Sequence, residues 1–181
     1  MLHAYWGDGK GKTSAAMGLA LRAAGAGWRI VVVQFLKDGS SSEISLLRKL
    51  PGVEAVLHDG ALAKFTFRMS DEEKAASRAL HDDNLRCALG LACRAAEDAA
   101  AREGCLLVLD EALDALRAGL LDEGLLRDAL GGAAGTDLCE AVVTGHSLPG
   151  FVADAADYLT RFSCERHPYQ RGVAAREGIE Y

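Results

Sequence analysis

Residues 7–13 read Gly-Asp-Gly-Lys-Gly-Lys-Thr. They follow Leu2-His3-Ala4-Tyr5, which has the pattern of a short strand, and lead into a helix-forming run, Ser14-Ala15-Ala16-Met17-Gly18-Leu19-Ala20-Leu21. Three closely spaced glycines let the backbone curl until successive N–H groups point into one concavity. The helix that follows adds its own unpaired N–H groups and the positive end of its dipole. Lys12 can reach phosphate oxygens as a point charge, and the Thr13 hydroxyl is placed to ligate Mg²⁺. Together they have the makings of a triphosphate cradle. The common pattern G-x-x-x-x-G-K-[ST] wants glycine at position 6, where this chain has Trp6, so Gly7 opens the loop one residue late. A mere glycine-rich surface turn does not account for strand, Gly-Lys-Thr and helix occurring in this order.

A second group of chemistry-bearing residues is Asp110-Glu111, at the end of the apolar run Cys105-Leu106-Leu107-Val108-Leu109. In a phosphate-loop protein the carboxylate that ends such a strand lies near the cradle and holds Mg²⁺, usually through water. Asp110 could instead cap the next helix, since aspartate favours that position too. Glu111 would orient an attacking water in a hydrolase, a role nothing in the sequence demands. Lys10 is either a second positive charge for the phosphates or a solvated side chain. Phe65-Thr66-Phe67 lies in a stretch, 63–69, that fits neither a helix nor a long strand, and two aromatics before a capped helix commonly staple that helix.

The elements that must position these residues alternate between apolar β-branched runs and helical patterns, which signals an α/β fold with a mostly parallel sheet covered on both faces. Expected strands are 30–36, 105–109 and 141–144, with shorter candidates at 53–57 and 158–162. The run 30–36 is almost continuously apolar, as expected when both faces of a strand are buried. Gly25 and Gly27 are expected to stop the first helix. Ser70-Asp71-Glu72-Glu73 reads as a capping box for a long helix from 71 to about 102, with Leu85, Leu89, Ala92, Ala96 and Ala99 on one face. Gly131-Gly132-Ala133-Ala134-Gly135 reads as a loop.

The chain has 181 residues, half of them hydrophobic, which suits one domain over 1–181 with a substantial core. A net charge of −6 with no Lys/Arg cluster gives no electrostatic footprint for nucleic acid or an anionic membrane. No apolar run approaches a membrane span, and no signal-peptide h-region opens the chain. The five cysteines are odd in number and scattered, without zinc-site or disulfide spacing, and read as buried, reduced thiols of a cytoplasmic protein.

In order along the chain, the 7–13 loop, Val32-Val33-Gln34-Phe35-Leu36-Lys37, Val108-Leu109-Asp110-Glu111, His167-Pro168-Tyr169 and the ending Gly172-Val173-Ala174-Ala175-Arg176-Glu177-Gly178-Ile179-Glu180-Tyr181 resemble the successive signatures of corrinoid adenosyltransferases of the CobA/CobO/BtuR type. The resemblance implies a RecA-like P-loop fold, and ATP and a corrinoid as substrates. It implies that Co(I) attacks the 5′ carbon of ATP and expels triphosphate, with Mg²⁺ (or Mn²⁺) as cofactor. It also implies a flavoprotein or other low-potential reductant as partner, and a homodimer. Gly7, Asp8, Gly9, Lys10, Gly11, Lys12 and Thr13 would bind the nucleotide together with Asp110 and Glu111, Thr13 and Asp110 holding the metal. A P-loop ATPase that hydrolyses ATP to ADP is the competing reading, and a non-catalytic corrinoid or nucleotide carrier is a third.

The chain departs from the family at His146, where many relatives have arginine, so His146 is either a phosphate contact or an exposed loop residue. It also begins only a few residues before the loop, whereas relatives with an N-terminal extension use it to cover the corrinoid. At the place of Phe65 and Phe67 the family inserts aromatics beneath the corrin ring, displacing the lower axial ligand so that cobalt is more easily reduced. On that basis Phe65→Ala, and to a lesser degree Phe67→Ala, should fail when a mild reductant must deliver the electron to Co(II). Each should largely recover when Co(I) is made in advance by a strong chemical reductant. A parallel fall in both assays, with a lowered melting temperature, would mark the rings as packing residues, whose loss costs about 3–5 kcal/mol.

Overall fold

Along the central strands successive side chains enter two different cores. Val31, Val33, Leu107, Leu109, Ala141 and Val143 face one, while Ile30, Val32, Leu106, Val108 and Val142 face the other. A sheet buried on both faces explains why its strands are continuously apolar. The computed structural model describes residues 1–60, 68–97, 104–134 and 139–179, with the backbone alone for 132–134.

The elements run β1 (Leu2–Trp6), α1 (Lys12–Gly25), β2 (Arg29–Gln34), α2 (Ser42–Leu47), β3 (Val53–His58), α3 (Asp71–Glu97), β4 (Cys105–Asp110), α4 (Ala112–Arg117), α5 (Glu123–Ala134), β5 (Cys139–Gly145), α6 (Gly150–Ala155) and β6 (Tyr158–Arg161). All five strand pairings are parallel, in the order β3-β2-β4-β5-β1-β6. Helices α1 and α2 cover one face, and α3, α4, α5 and α6 the other. This is the α/β, RecA-like P-loop architecture expected from the sequence. One strand, β5, lies between the strand that feeds the glycine loop and the strand that ends in Asp110.

Several local expectations hold. Glu73 N donates to Ser70 Oγ (3.2 Å) while Ser70 N donates to Glu73 Oε2 (3.0 Å), a complete capping box at the start of α3. Helix α1 ends at Gly25, and Gly27 takes a left-handed φ of 92° just beyond it. Other expectations are corrected. The strand expected over 30–36 stops at Gln34, because Leu36 turns into the left-handed region (φ 58°). The expected loop at 131–135 is helical through Ala134. Leu126, Ala129 and Leu130 of α5 are buried against the sheet, and that packing carries the helix through glycines that each disfavour it by about 1 kcal/mol. Cys105 and Cys139 are buried as expected, but Cys87 and Cys93 are exposed.

The buried seam of α3 runs Ser77, His81, Leu85, Ala88, Ala92, Ala95, one position off the expected Leu89 and Ala96, which are partly buried; Ala99 lies outside the described residues. The seam begins with two polar residues. His81 Nδ1 donates to the Leu120 carbonyl (2.7 Å), its Nε2 lies 2.7 Å from Asp59 Oδ2, and the Phe35 ring meets it edge-on at 5.3 Å. The contact ties the end of β3 to α3 and to the turn after α4. Removing the imidazole leaves a buried carboxylate without its partner. His81→Ala should therefore cost about 3–5 kcal/mol of stability, read as a lower urea midpoint; a loss below about 1 kcal/mol would contradict the pairing.

Candidate nucleotide site

Strand β1 runs through Trp6, which pairs with Gly145 of β5 and Arg161 of β6, so the residue standing where the common pattern has glycine belongs to the sheet. The loop opens at Gly7 (φ 115°), whose N–H donates to the Gly145 carbonyl (3.2 Å), and closes at Gly11 (φ 108°). Gly9 N donates to the Phe162 carbonyl (2.9 Å), so the loop presses on the backbone that follows β6. A Cβ at position 7 would collide with that carbonyl oxygen, and one at position 9 would lie 2.7 Å from its carbon. Both positions demand glycine for close approach. No side chain caps the first turn of α1. Its orphan N–H groups suit an anion.

Lys12 Nζ donates to the Gly7 (2.7 Å) and Gly9 (3.0 Å) carbonyls, folded back on its own loop. The Thr13 hydroxyl donates to Asp110 Oδ1 (2.9 Å), joining the loop to the end of β4. Asp110 is fully buried, and its carboxylate is satisfied by four groups. Besides Thr13, Thr144 Oγ1 donates to Oδ1 (2.8 Å), and Lys37 Nζ (2.7 Å) and Gln34 Nε2 (3.4 Å) donate to Oδ2. The cap position before α4 is taken not by Asp110 but by Glu111 (φ 61°), whose N–H donates to Thr144 Oγ1 (2.8 Å). Glu111 Oε1 faces Lys37 Nζ at 3.4 Å. Burial raises the Glu111 pKa, with Lys37 pulling the other way. Burial acts to lower the Lys37 pKa, but the Asp110 and Glu111 carboxylates outweigh it and hold the ammonium above its ordinary value.

Lys12, Thr13, Lys37, Glu111 and Thr144 wall a cavity of about 1090 Å³ at the carboxyl ends of the strands, where α/β sheets bind ligands, with Asp110 and Gln34 buried beneath it. Gly9, Lys10, Gly11, Lys12, Thr13 and Glu111 all contribute to its wall. So do Gly178 and Ile179 of the tail, and Lys10 Nζ donates to the Ile179 carbonyl (2.7 Å). Asp8 is exposed on the outside of the loop, and Gly7 is buried beneath it. His146 is 58% exposed on the cavity wall, yet it is not loose: its N–H donates to Asp114 Oδ2 (2.9 Å), and its Nδ1 lies 2.8 Å from the same oxygen. Phe65 and Phe67 lie outside the described residues.

Three residues of the site, Gln34, Lys37 and Thr144, were not picked out by sequence reasoning. Each is a polar residue at or just past the carboxyl end of an apolar strand, and that position is the signal that could have found them.

The glycine loop, the Thr13–Asp110 contact and the cavity define a P-loop nucleotide-binding protein. The ATP:corrinoid adenosyltransferase family BtuR/CobO/CobP matches residues 1–181. A corrinoid adenosyltransferase of Pseudomonas aeruginosa is 31% identical over 183 residues, covering 100% of this chain and 83% of the relative. Corrinoid adenosyltransferase CobA of Salmonella typhimurium is 30% identical (98% of this chain, 83% of the relative), and a corrinoid adenosyltransferase of Escherichia coli K12 is 28% identical (98% and 83%). The chain belongs to the ATP:corrinoid adenosyltransferases. It is a transferase whose substrates are ATP and a corrinoid, and the hydrolytic ATPase reading is not favoured.

Lys12 is part of no core, so Lys12→Ala should keep the fold while removing a charge-assisted phosphate contact. Affinity for ATP should fall about ten- to a hundredfold, from a contact of about 1.5–3 kcal/mol, measured by calorimetric titration alongside a thermal melt. Unchanged affinity would contradict a phosphate-binding loop.

Proposed function

We propose that this enzyme moves the 5′-deoxyadenosyl group of ATP to Co(I) of a corrinoid, with the triphosphate laid along residues 7–13 and Mg²⁺ (or Mn²⁺) held by Thr13 and Asp110, beside Glu111. The choice of reaction follows the family; the observation that carries the placement of nucleotide and metal is the 2.9 Å contact between the buried Asp110 of β4 and Thr13 of the loop, which lines a cavity large enough for a nucleotide. A hydroxyl and carboxylates are the hard oxygen donors that Mg²⁺ takes, with substrate phosphates completing its shell. The same oxygens already surround one cation, the Lys37 ammonium.

When bound, the divalent ion neutralises charge on the departing triphosphate. The chain's own share is positioning. The N–H groups of Gly11 and the first turn of α1 orient the phosphates, and Lys12 exchanges its loop carbonyls for phosphate oxygens. The Co(I) lone pair forms the Co–C5′ bond as the C5′–O bond breaks, so the electron pair leaves on triphosphate. Co(I) carries no proton, and the site needs no general base. Phe65 and Phe67 are assigned the wedge beneath the corrin on the family resemblance. The same reading takes residues 1–181 as a single domain of a cytoplasmic homodimer supplied with electrons by a flavoprotein or similar low-potential reductant. Among the described residues no helix is long and apolar enough to cross a membrane.

With ATP labelled in the γ-phosphate, the label should appear in triphosphate, and only when reduced corrinoid is present, while the visible spectrum reports the adenosylated product. Steady release of ADP and labelled phosphate without corrinoid would support the hydrolase instead.

A further inference from the structure

Lys37 holds three oxygens at once: Asp110 Oδ2 at 2.7 Å, Thr13 Oγ1 at 3.3 Å and Glu111 Oε1 at 3.4 Å. Two of those residues are the ones assigned to the divalent metal, and the third stands beside them. We propose that Lys37 is a resident cation of this site: its ammonium occupies the metal's place in the unliganded protein, and metal–nucleotide binding transfers it to the triphosphate. The inference rests on the assignment of Thr13 and Asp110 to the metal.

The geometry leaves little room for both cations at once. Mg²⁺ binds oxygens at about 2.0–2.1 Å, so an ion taking Thr13 Oγ1 and Asp110 Oδ2 would compete with the ammonium for oxygens it now contacts, with both charges in a partly buried site. The ion cannot leave its donors and remain bound, whereas the lysine has a flexible four-carbon stem and can move its head. Its side chain is 21% exposed and already on the cavity wall, as is Lys12, so phosphate oxygens entering the cavity come within its reach.

The backbone is built around this encounter. Leu36 (φ 58°) and Glu111 (φ 61°) are the two non-glycine residues with left-handed backbones among the described residues. They follow the ends of neighbouring strands, β2 and β4, whose register pairs Gln34 with Asp110. The two bends bring Lys37 and Glu111 face to face at the same rim. Such conformations cost energy and concentrate where function requires them. The Lys37 main chain is itself pinned, its carbonyl accepting from Asp59 N (2.9 Å), so the side chain can move while its root stays fixed.

An ordinary structural ion pair and a resident cation give opposite results when the charge is removed. Breaking a structural pair loosens the carboxylates and weakens metal binding, whereas removing a competitor strengthens it. The test is a titration of Mn²⁺ into the nucleotide-free protein, with free Mn²⁺ read by electron paramagnetic resonance, on wild type, Lys37→Met, Lys37→Arg, Thr13→Val and the Lys37→Met/Thr13→Val double variant. Lys37→Met should bind Mn²⁺ about tenfold or more tightly than wild type, while Lys37→Arg, which keeps a charge, should not. In saturating Mn²⁺ the affinity of Lys37→Met for ATP should fall about ten- to a hundredfold, because a charge-assisted phosphate contact is gone. The double variant should lose the gain in Mn²⁺ affinity. Unchanged or weaker Mn²⁺ binding in Lys37→Met, with Thr13→Val still impaired, overturns the role of Lys37 and leaves the metal site standing. Equal Mn²⁺ affinity with and without the Thr13 hydroxyl, in both Lys37 backgrounds, overturns the metal assignment and the inference with it.

Discussion

A carboxylate with no exposure to water sits at the end of β4, and the arrangement around it follows from the need to satisfy its charge. Burying an unpaired carboxylate is costly enough that the group would sooner take up a proton. Asp110 avoids this through donors from four places in the chain: Thr13 at the start of α1, Gln34 at the end of β2, Lys37 just beyond it, and Thr144 near the end of β5. These segments meet because the strand order sets β4 between β2 and β5, with β1 next to β5. Thr144 also accepts from Glu111 N, so the residue after the carboxylate is fixed by the same hydroxyl. The network is therefore both a structural tie between loop and sheet and a ready set of hard oxygen ligands.

The loop depends on this frame as much as on its own glycines. Trp6 completes β1, so the curl starts at Gly7, and the loop is held from one side by Gly145 and from the other by Phe162. The strand β6 exposes all four of its residues along the sheet edge, and it leads straight into the segment on which Gly9 rests. The tail then returns to the cavity, where the Ile179 carbonyl takes the Lys10 ammonium. Lys10, though exposed, is thus engaged by the tail. In the proposed phosphate site Lys10, Lys12 and Lys37 rest on backbone or carboxylate oxygens, partners that an incoming polyanion would have to replace.

Much of this was legible from the residues because it depends on local rules. The glycine loop, the capping box at Ser70 and Glu73, and the doubly buried strands each follow from a few neighbouring residues. What escaped was non-local. In the sequence Lys37 stands out only as the end of a family signature and Thr144 only as a strand residue; both join the candidate site because parallel pairing brings the ends of β2, β4 and β5 level. Local propensity also misplaced the end of α5, where burial of Leu126, Ala129 and Leu130 overrides Gly131. On α3 the expected Leu85 and Ala92 lie in the buried seam, but Ala88 and Ala95 replace Leu89 and Ala96, and the polar Ser77 and His81 that begin the seam are invisible to an apolar pattern. The family resemblance reached furthest, since it assigned a reaction that the loop alone does not choose. For Phe65 and Phe67 it is the sole basis.

The account stands or falls on Asp110 serving one site for metal and nucleotide together. Asparagine at this position keeps the shape but removes the charge, and turns an amide N–H₂ toward groups that are themselves donors. The decisive measurement is the affinity of Asp110→Asn for ATP with and without Mn²⁺, beside its thermal melt and circular dichroism spectrum. The account predicts a folded protein in which Mn²⁺ no longer strengthens ATP binding and adenosyl transfer to pre-reduced corrinoid is lost. A folded Asp110→Asn protein in which Mn²⁺ strengthens ATP binding as in wild type, with transfer at the wild-type rate, would contradict it.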